Sequence, residues 1–175
     1  MGGSAQFQCA GLVYKLTPGE NGWKQTVLYN FTPGQSKRGA NPKGAINIDS
    51  EGNLYSTVTS SQPSTYGGVF RLSTANGGSQ IFLPFTSDMG TNPAAGVLID
   101  PRNNNLYGTA PNGGANRQGT VWKAAGKKVV VLHSFTGTDG SRPMAALIVD
   151  KKSNLYGVTL EGGAFNHGVV FQITP

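Results

Sequence analysis

The sequence predicts an all-β protein of short antiparallel strands, and three observations carry that expectation. Glycine supplies 26 of the 175 residues while charged side chains make up only 13%, a composition that suits many strands joined by tight turns better than helices. No window of helical length repeats apolar residues at three-four spacing without a Gly or Pro breaking it, so helix should be nearly absent. The third observation is a motif written three times: AINIDSEGNLYSTV at Ala45–Val58, GVLIDPRNNNLYGTA at Gly96–Ala110 and ALIVDKKSNLYGVT at Ala146–Thr159.

Each copy is an apolar run closed by Asp, a polar turn, then Asn-Leu-Tyr and a second run of small or β-branched residues, which is the pattern of a β-hairpin. Asp49, Asp100 and Asp150 stand where a side-chain oxygen can accept the turn's backbone N–H groups, and Asn53, Asn105 and Asn154 where the chain re-enters the sheet. These are read as structural residues and not as metal ligands. The two strands of the hairpin are named a and b. Strand c starts at a glycine and runs into β-branched and aromatic residues, from Gly11, Gly68, Gly119 and Gly168. Strand d ends in Phe31-Thr32, Phe85-Thr86 or Phe135-Thr136, and a glycine-rich loop then closes on Asn41-Pro42, Asn92-Pro93 or Arg142-Pro143. Strand a is apolar on both faces, as in Val97 to Ile99 and Leu147 to Val149, which fits a strand covered on both sides. Strand d varies most, with Tyr29, Pro84 and His133 read at one aligned position; a proline there fits an outer edge.

A period of about fifty residues with four short strands per unit is the signature of a β-propeller blade. The expected architecture is a single domain over 1–175, with repeats at about 11–67, 68–118 and 119–167 and an extra terminal strand at 168–175. The strands then run c, d, a, b, c, d, a, b, c, d, a, b, c, so the chain begins and ends in mid-blade. About three blade-equivalents cannot close a ring of ordinary size, and bare edge strands are avoided in natural proteins. The expectation is therefore a homo-oligomer, most simply a symmetric dimer, in which strands a and b of one chain complete c and d of the next. A piece of a longer array is the alternative.

The formal net charge is +6, but the basic residues are scattered in pairs such as Lys37-Arg38, Lys127-Lys128 and Lys151-Lys152. A nucleic-acid binder would concentrate them on one face among stacking aromatics, so no nucleic-acid partner is expected. An acidic polysaccharide is compatible with the charge. Cys9 is the only cysteine, which excludes an intramolecular disulfide. The longest aliphatic run, Val129 to Leu132, is far too short to span a bilayer. No signal peptide is visible at Met1 to Ser4, and no zinc spacing or cofactor motif appears, so neither metal nor cofactor is expected.

The set LYGT, GGANRQGTVWK and SFTGTDGSRP, with its partners LYGVT, EGGAFNHGVVF and FTSDMGTNP, resembles the GloVer-type tandem repeat of bacterial surface and secreted proteins. The resemblance covers nearly the whole chain. It implies a propeller-like array and an extracellular or cell-surface setting, and it implies no chemistry. Two departures stand out. The first repeat lacks the Gly-Gly of its b–c loop, reading Ser60 to Tyr66, and Arg142 replaces the Asn that precedes Pro in the other copies.

In an up-and-down blade the d–a and b–c loops share one face, where binding residues tend to gather on a rigid scaffold. The candidate rim is Asn41, Asn92 and Arg142 with Asp88, Asp139, Tyr66, Asn116, Arg117, Glu161, Asn166 and His167. Asn41, Asn92, Arg142, Tyr66, Asn116 and Asn166 are the ligand-binding candidates, although Asn before Pro commonly serves a turn. Arg142 is suited to grip a carboxylate or sulfate. Glu161, His167, Asp139 and Arg142 are the catalytic candidates, with His167 and Glu161 as an acid-base pair. His133 is read as an exposed outer-strand residue without a role. Gly113-Gly114 and Gly162-Gly163 precede a strand and not a helix, so they are turn glycines and not a phosphate cradle. Trp23, Trp122 and Tyr66 carry rings able to stack on sugars, with Trp122 better explained as core. Two functions stay open: an extracellular binding or scaffold module for carbohydrate, or a hydrolase or lyase acting on a polysaccharide or lactone at the mouth of the ring.

Overall fold

The structure, a computed structural model, describes residues 11–31, 40–59, 66–75 and 80–174. Cys9, the Lys37-Arg38 pair and the first b–c loop at 60–65 lie outside them. The described chain is all-β, with no α-helix and one short 3-10 turn at Ser87–Met89. Strands β1 (Leu12–Gly19) and β2 (Gly22–Asn30) form a hairpin. In the next sheet β3 (Ala40–Pro42) and β4 (Asn47–Ile48) both pair with β5 (Leu54–Thr59), which is followed by β6 (Gly68–Leu72) and β7 (Gln80–Pro84). A four-stranded sheet runs through β8 (Leu98–Ile99), β9 (Leu106–Ala110), β10 (Thr120–Ala125) and β11 (Lys128–Ser134). The last sheet is β12 (Ile148–Val149), β13 (Leu155–Val158) and β14 (Val170–Ile173). All strand pairings are antiparallel between neighbours; β3, where the sequence suggested a loop, is an added strand on β5, and the other strands follow the expected succession from c, d through a, b, c, d to a final a, b, c.

The repeated Asp organises the a–b turn as the sequence suggests. Asp150 Oδ1 accepts the N–H groups of Lys152 at 2.8 Å and Asn154 at 2.9 Å, while Oδ2 accepts Asn154 Nδ2 at 2.8 Å and the Tyr156 hydroxyl at 3.1 Å. Asp49 repeats all four bonds with Glu51, Asn53 and Tyr55. Asn-Leu-Tyr is therefore a clamp on the aspartate as well as the start of a strand. The second turn has one residue more, and there Arg102 takes over. Its N–H and Nε donate to Asp100 Oδ1 at 3.0 and 2.8 Å and its second guanidinium nitrogen to Oδ2 at 3.0 Å.

Apolar residues pack between neighbouring sheets, and the same repeat positions meet at each contact. Val13 and Phe31 pack on Val58, Phe70 and Leu72; Val69 and Phe85 on Ala110, Trp122 and Ala124; Val121 and Phe135 on Leu147, Leu155 and the partly buried Phe171 and Ile173. The Phe of each Phe-Thr thus meets the strand-c aromatic of the following sheet, at centroid distances of 5.1 Å to Phe70, 5.2 Å to Trp122 and 5.1 Å to Phe171. Trp122 is core, as expected, and it lies over Gly108, where a Cβ would run into the indole ring.

Three readings of the strands need correction. Leu83, not Pro84, shares the position of Tyr29 and His133, because each pairs with the equivalent valine, Val69, Val13 and Val121. Pro84 nevertheless lies on an edge strand. The glycine equivalent to Gly11, Gly119 and Gly168 is Gly67, one residue before Gly68, since it shares their positive φ and stands three residues before the aromatic. Strand a is not covered on both sides in every copy. Ile46 and Ile48 are exposed in the first copy and Ile148 in the third, because no described strand flanks them on those sides.

Candidate functional site

The three residues that precede proline share one backbone state and one location. Asn41, Asn92 and Arg142 all lie in the left-handed region, with φ of 54°, 55° and 55°. Asn tolerates that region through its short polar side chain, and a long side chain does so less readily. The loop geometry imposes it. The N–H of Asn92 donates to the Tyr66 carbonyl and that of Arg142 to the Gln118 carbonyl, each at 2.9 Å, tying the d–a loop to the preceding b–c loop. The proline that follows sits on the glycine opening strand c: a Cβ on Gly11 would strike Pro42, one on Gly67 Pro93, and one on Gly119 Pro143. Arg142 is held further, with its carbonyl accepting the Leu160 N–H at 3.1 Å and its guanidinium 2.6 Å from Glu161 Oε1.

These three residues line one open cleft of about 910 Å³. Equivalent positions of different repeats complete its wall: Lys43, Ala94 and Met144 after the prolines, and Thr59 with Pro111 at the end of strand b. Asn112, Pro42, Gly11 and Leu12 close it. No carboxylate is among the described residues lining the cleft, and its positive character comes from Lys43 beside the amides of Asn41, Asn92 and Asn112, since the Arg142 guanidinium is ion-paired with Glu161. Lys43 and Asn112 were not singled out by sequence reasoning, although their repeat positions beside the flagged residues carried the signal.

The other rim candidates are not drawn into this cleft. Asn166, at φ 57°, turns its side-chain oxygen to the Gly162 N–H at 3.0 Å, a local turn contact. Tyr66 contributes its backbone carbonyl to the loop tie, and Asn116 is exposed on the second b–c loop. The catalytic candidates divide into separate pairs. Glu161 engages Arg142, whereas Asp139 accepts the Thr136 N–H and hydroxyl, each at 2.8 Å, and lies 2.8 Å from His133 Nε2. His133 stands partly exposed on the edge strand β11, as the sequence suggests, and its ring stands edge-on to Phe135 at 4.8 Å. No hydrogen bond or ion pair joins His167 to Glu161.

A comparison with known families supports the reading of the chain as a repeat protein. The model of the Gloeobacter/Verrucomicrobia repeat matches residues 1–175. The chain belongs to this family. No curated protein matches it. In this Gloeobacter/Verrucomicrobia repeat chain, no described group of three or more His, Cys, Asp or Glu side chains is placed to hold a metal ion. No described helix is long and apolar enough to cross a membrane.

Charge in the family's turn aspartates is fixed by local hydrogen bonds. The Arg102 side chain holds Asp100 below the usual carboxylate value, and the Asn154 side chain does the same for Asp150, each against an opposing effect of burial. At Asp49 and Asp139 burial is the largest influence and raises the value, but the combined hydrogen bonds of Asn53 and Tyr55, and of Thr136 and His133, bring it down. All four remain ionised acceptors, which suits a structural role and not proton donation.

Proposed function

We propose that the protein is a non-catalytic binding or scaffold module of the bacterial cell surface, with its sheets acting as successive blades of a β-propeller and its cleft taking a carbohydrate. The observation that carries this reading is the convergence of Asn41, Asn92 and Arg142, from equivalent positions of successive repeats, on one cleft. Repetition of an amide along a wall suits a ligand that repeats its own hydroxyl groups. Its volume falls within the range of about 300–1,000 Å³ common for ligand sites. Lys43 favours a glycan bearing carboxylate or sulfate, and Arg142 adds to this only by exchanging Glu161 for the ligand's anion. Engagement of Glu161 by Arg142 and of Asp139 by Thr136 and His133 supports binding over a hydrolase or lyase reaction.

Retention of the folded chain on a panel of neutral and acidic polysaccharides tests this role. The informative variant carries Asn41→Gly, Asn92→Gly and Arg142→Gly together, because glycine keeps the left-handed backbone while deleting the side chains. Retention of the wild type and its loss in the triple variant, at unchanged circular dichroism, is the expected result. A folded wild type that no polysaccharide retains would sink the carbohydrate role, and retention by the triple variant would move the site elsewhere.

A further inference from the structure

The two end sheets of the chain expose the two halves of the contact that joins its neighbouring sheets. Val13, Val69 and Val121 are the strand-c valines that face the following sheet, and they are 2%, 1% and 0% exposed. Their equivalent in the last sheet, Val170, is 81% exposed. Beside it, Val158 stands where Thr57 and Thr109 donate hydroxyl hydrogen bonds forward to the carbonyls of Ala95 and Ala145. Valine at that place exchanges a polar tie for an apolar surface, and Val158 is itself exposed.

The opposite half lies on the hairpin β1–β2. Phe70 and Leu72, which receive Val13, are each 1% exposed. Their equivalents Tyr14 and Leu16 are 51% and 47% exposed, on the face turned away from the other described sheets. One end thus presents an uncovered valine and the other an uncovered aromatic with its leucine. Exposed apolar surface of this extent marks an interaction site. Contacts of this composition already close three times within the chain.

We propose that a second copy of the chain covers these faces head to tail, the β12–β14 sheet of one copy packing on the β1–β2 hairpin of the other. The contact repeats the internal one, Val170 and Val158 standing for the valines and threonines and Tyr14 and Leu16 for Phe70 and Leu72. Such a heterologous contact closes a ring when both ends of two copies meet. Face-to-face packing leaves every strand in place. The strand completion expected from the sequence would instead require β14 to leave β13, breaking the pairing from Leu155↔Ile173 to Val158↔Val170. The inference is independent of the carbohydrate role, since none of these four side chains belongs to the amide wall of the cleft.

Light scattering on a sizing column tests it with Val170→Asp and Leu16→Asp, two substitutions at exposed positions whose folding is checked by thermal melting. The wild type is expected at twice the chain mass and each variant at the monomer mass. An equimolar mixture of the two variants retains one intact face of each kind and should return to twice the chain mass. A wild type that stays monomeric at the highest concentration that can be loaded would overturn the proposal. Dissociation by Leu16→Asp but not by Val170→Asp would overturn it in favour of strand exchange at β14.

Discussion

At the scale of single residues, the turn aspartates and the left-handed positions carry the local logic. Asp100 is buried and accepts only from Arg102 and Asn103, so an amide in its place would turn its own N–H groups toward donors. Asp100→Asn is expected to cost about 2 kcal/mol, the order expected when a buried hydrogen-bonded acceptor is mismatched, as read from urea unfolding. The same group contributes to acid sensitivity. Asp49, Asp100, Asp139 and Asp150 all have folded values below the ordinary carboxylate value of about 3.9. Their contribution is therefore fully present above that value and is lost as pH falls through the lower folded values. Urea midpoints should be flat between about pH 7 and pH 5 and fall below about pH 4, with a shallower fall in Asp100→Asn. The aspartates were legible because Asp and Asn-Leu-Tyr recur together in all three copies, whereas His133 and Asp139 stand together in one copy alone. The pairing of His133 with Asp139 was not, since it depends on the path of the d–a loop around the end of β11.

At the scale of the element, strand b is built to accept an aromatic from strand c. Gly108 pairs with Trp122 and Gly157 with Phe171, and a Cβ on either glycine would meet the ring; in the first repeat Ser56 pairs with Phe70. Glycine within a strand weakens it unless a neighbouring ring fills the space, and here the ring does. Gly108→Ala should destabilise by about 1–3 kcal/mol, the cost of overpacking against a fixed side chain, whereas Gly126→Ala, with nothing within 4 Å of its Cβ position, carries only the left-handed strain of its φ of 58°, about 1 kcal/mol. Paired unfolding curves of the two variants check the difference. Strand identity and order followed from the repeated spacing, yet register did not. The displacement from Pro84 to Leu83 and from Gly68 to Gly67 is a single residue, and only cross-strand pairing separates such alternatives.

At the scale of the whole molecule, stability resides in contacts between neighbouring sheets. Phe85 is 4% exposed and meets Trp122 edge-on at 5.2 Å, with Val69, Val97 and Ala110 in the same cluster. Phe85→Ala should lower unfolding free energy by about 3–5 kcal/mol and broaden the transition, because a stack of repeats is coupled through nearest neighbours. Calorimetry that finds an undiminished, equally sharp transition would contradict this picture. Phe-Thr was visible in the sequence as a recurrent strand end, but its task of bridging to the next sheet was not. Its partner lies on the following repeat.

What could be read from residues alone was what repeats along the chain: the all-β composition, the a, b, c, d succession, the Asp and Asn of the turns and the Asn-Pro or Arg-Pro loop ends. The turn residues make their bonds within a few positions, and the strand succession and loop ends recur at one spacing along the chain, so spacing was sufficient. The cleft, the division of the suspected catalytic group into His133–Asp139 and Arg142–Glu161, and the exposure of Tyr14 and Val170 were decided by tertiary structure. The cleft and the exposed faces follow from how one repeat is laid against the next, about fifty positions away, while the two ion pairs, 6 and 19 residues apart, depend on loop paths that spacing does not fix.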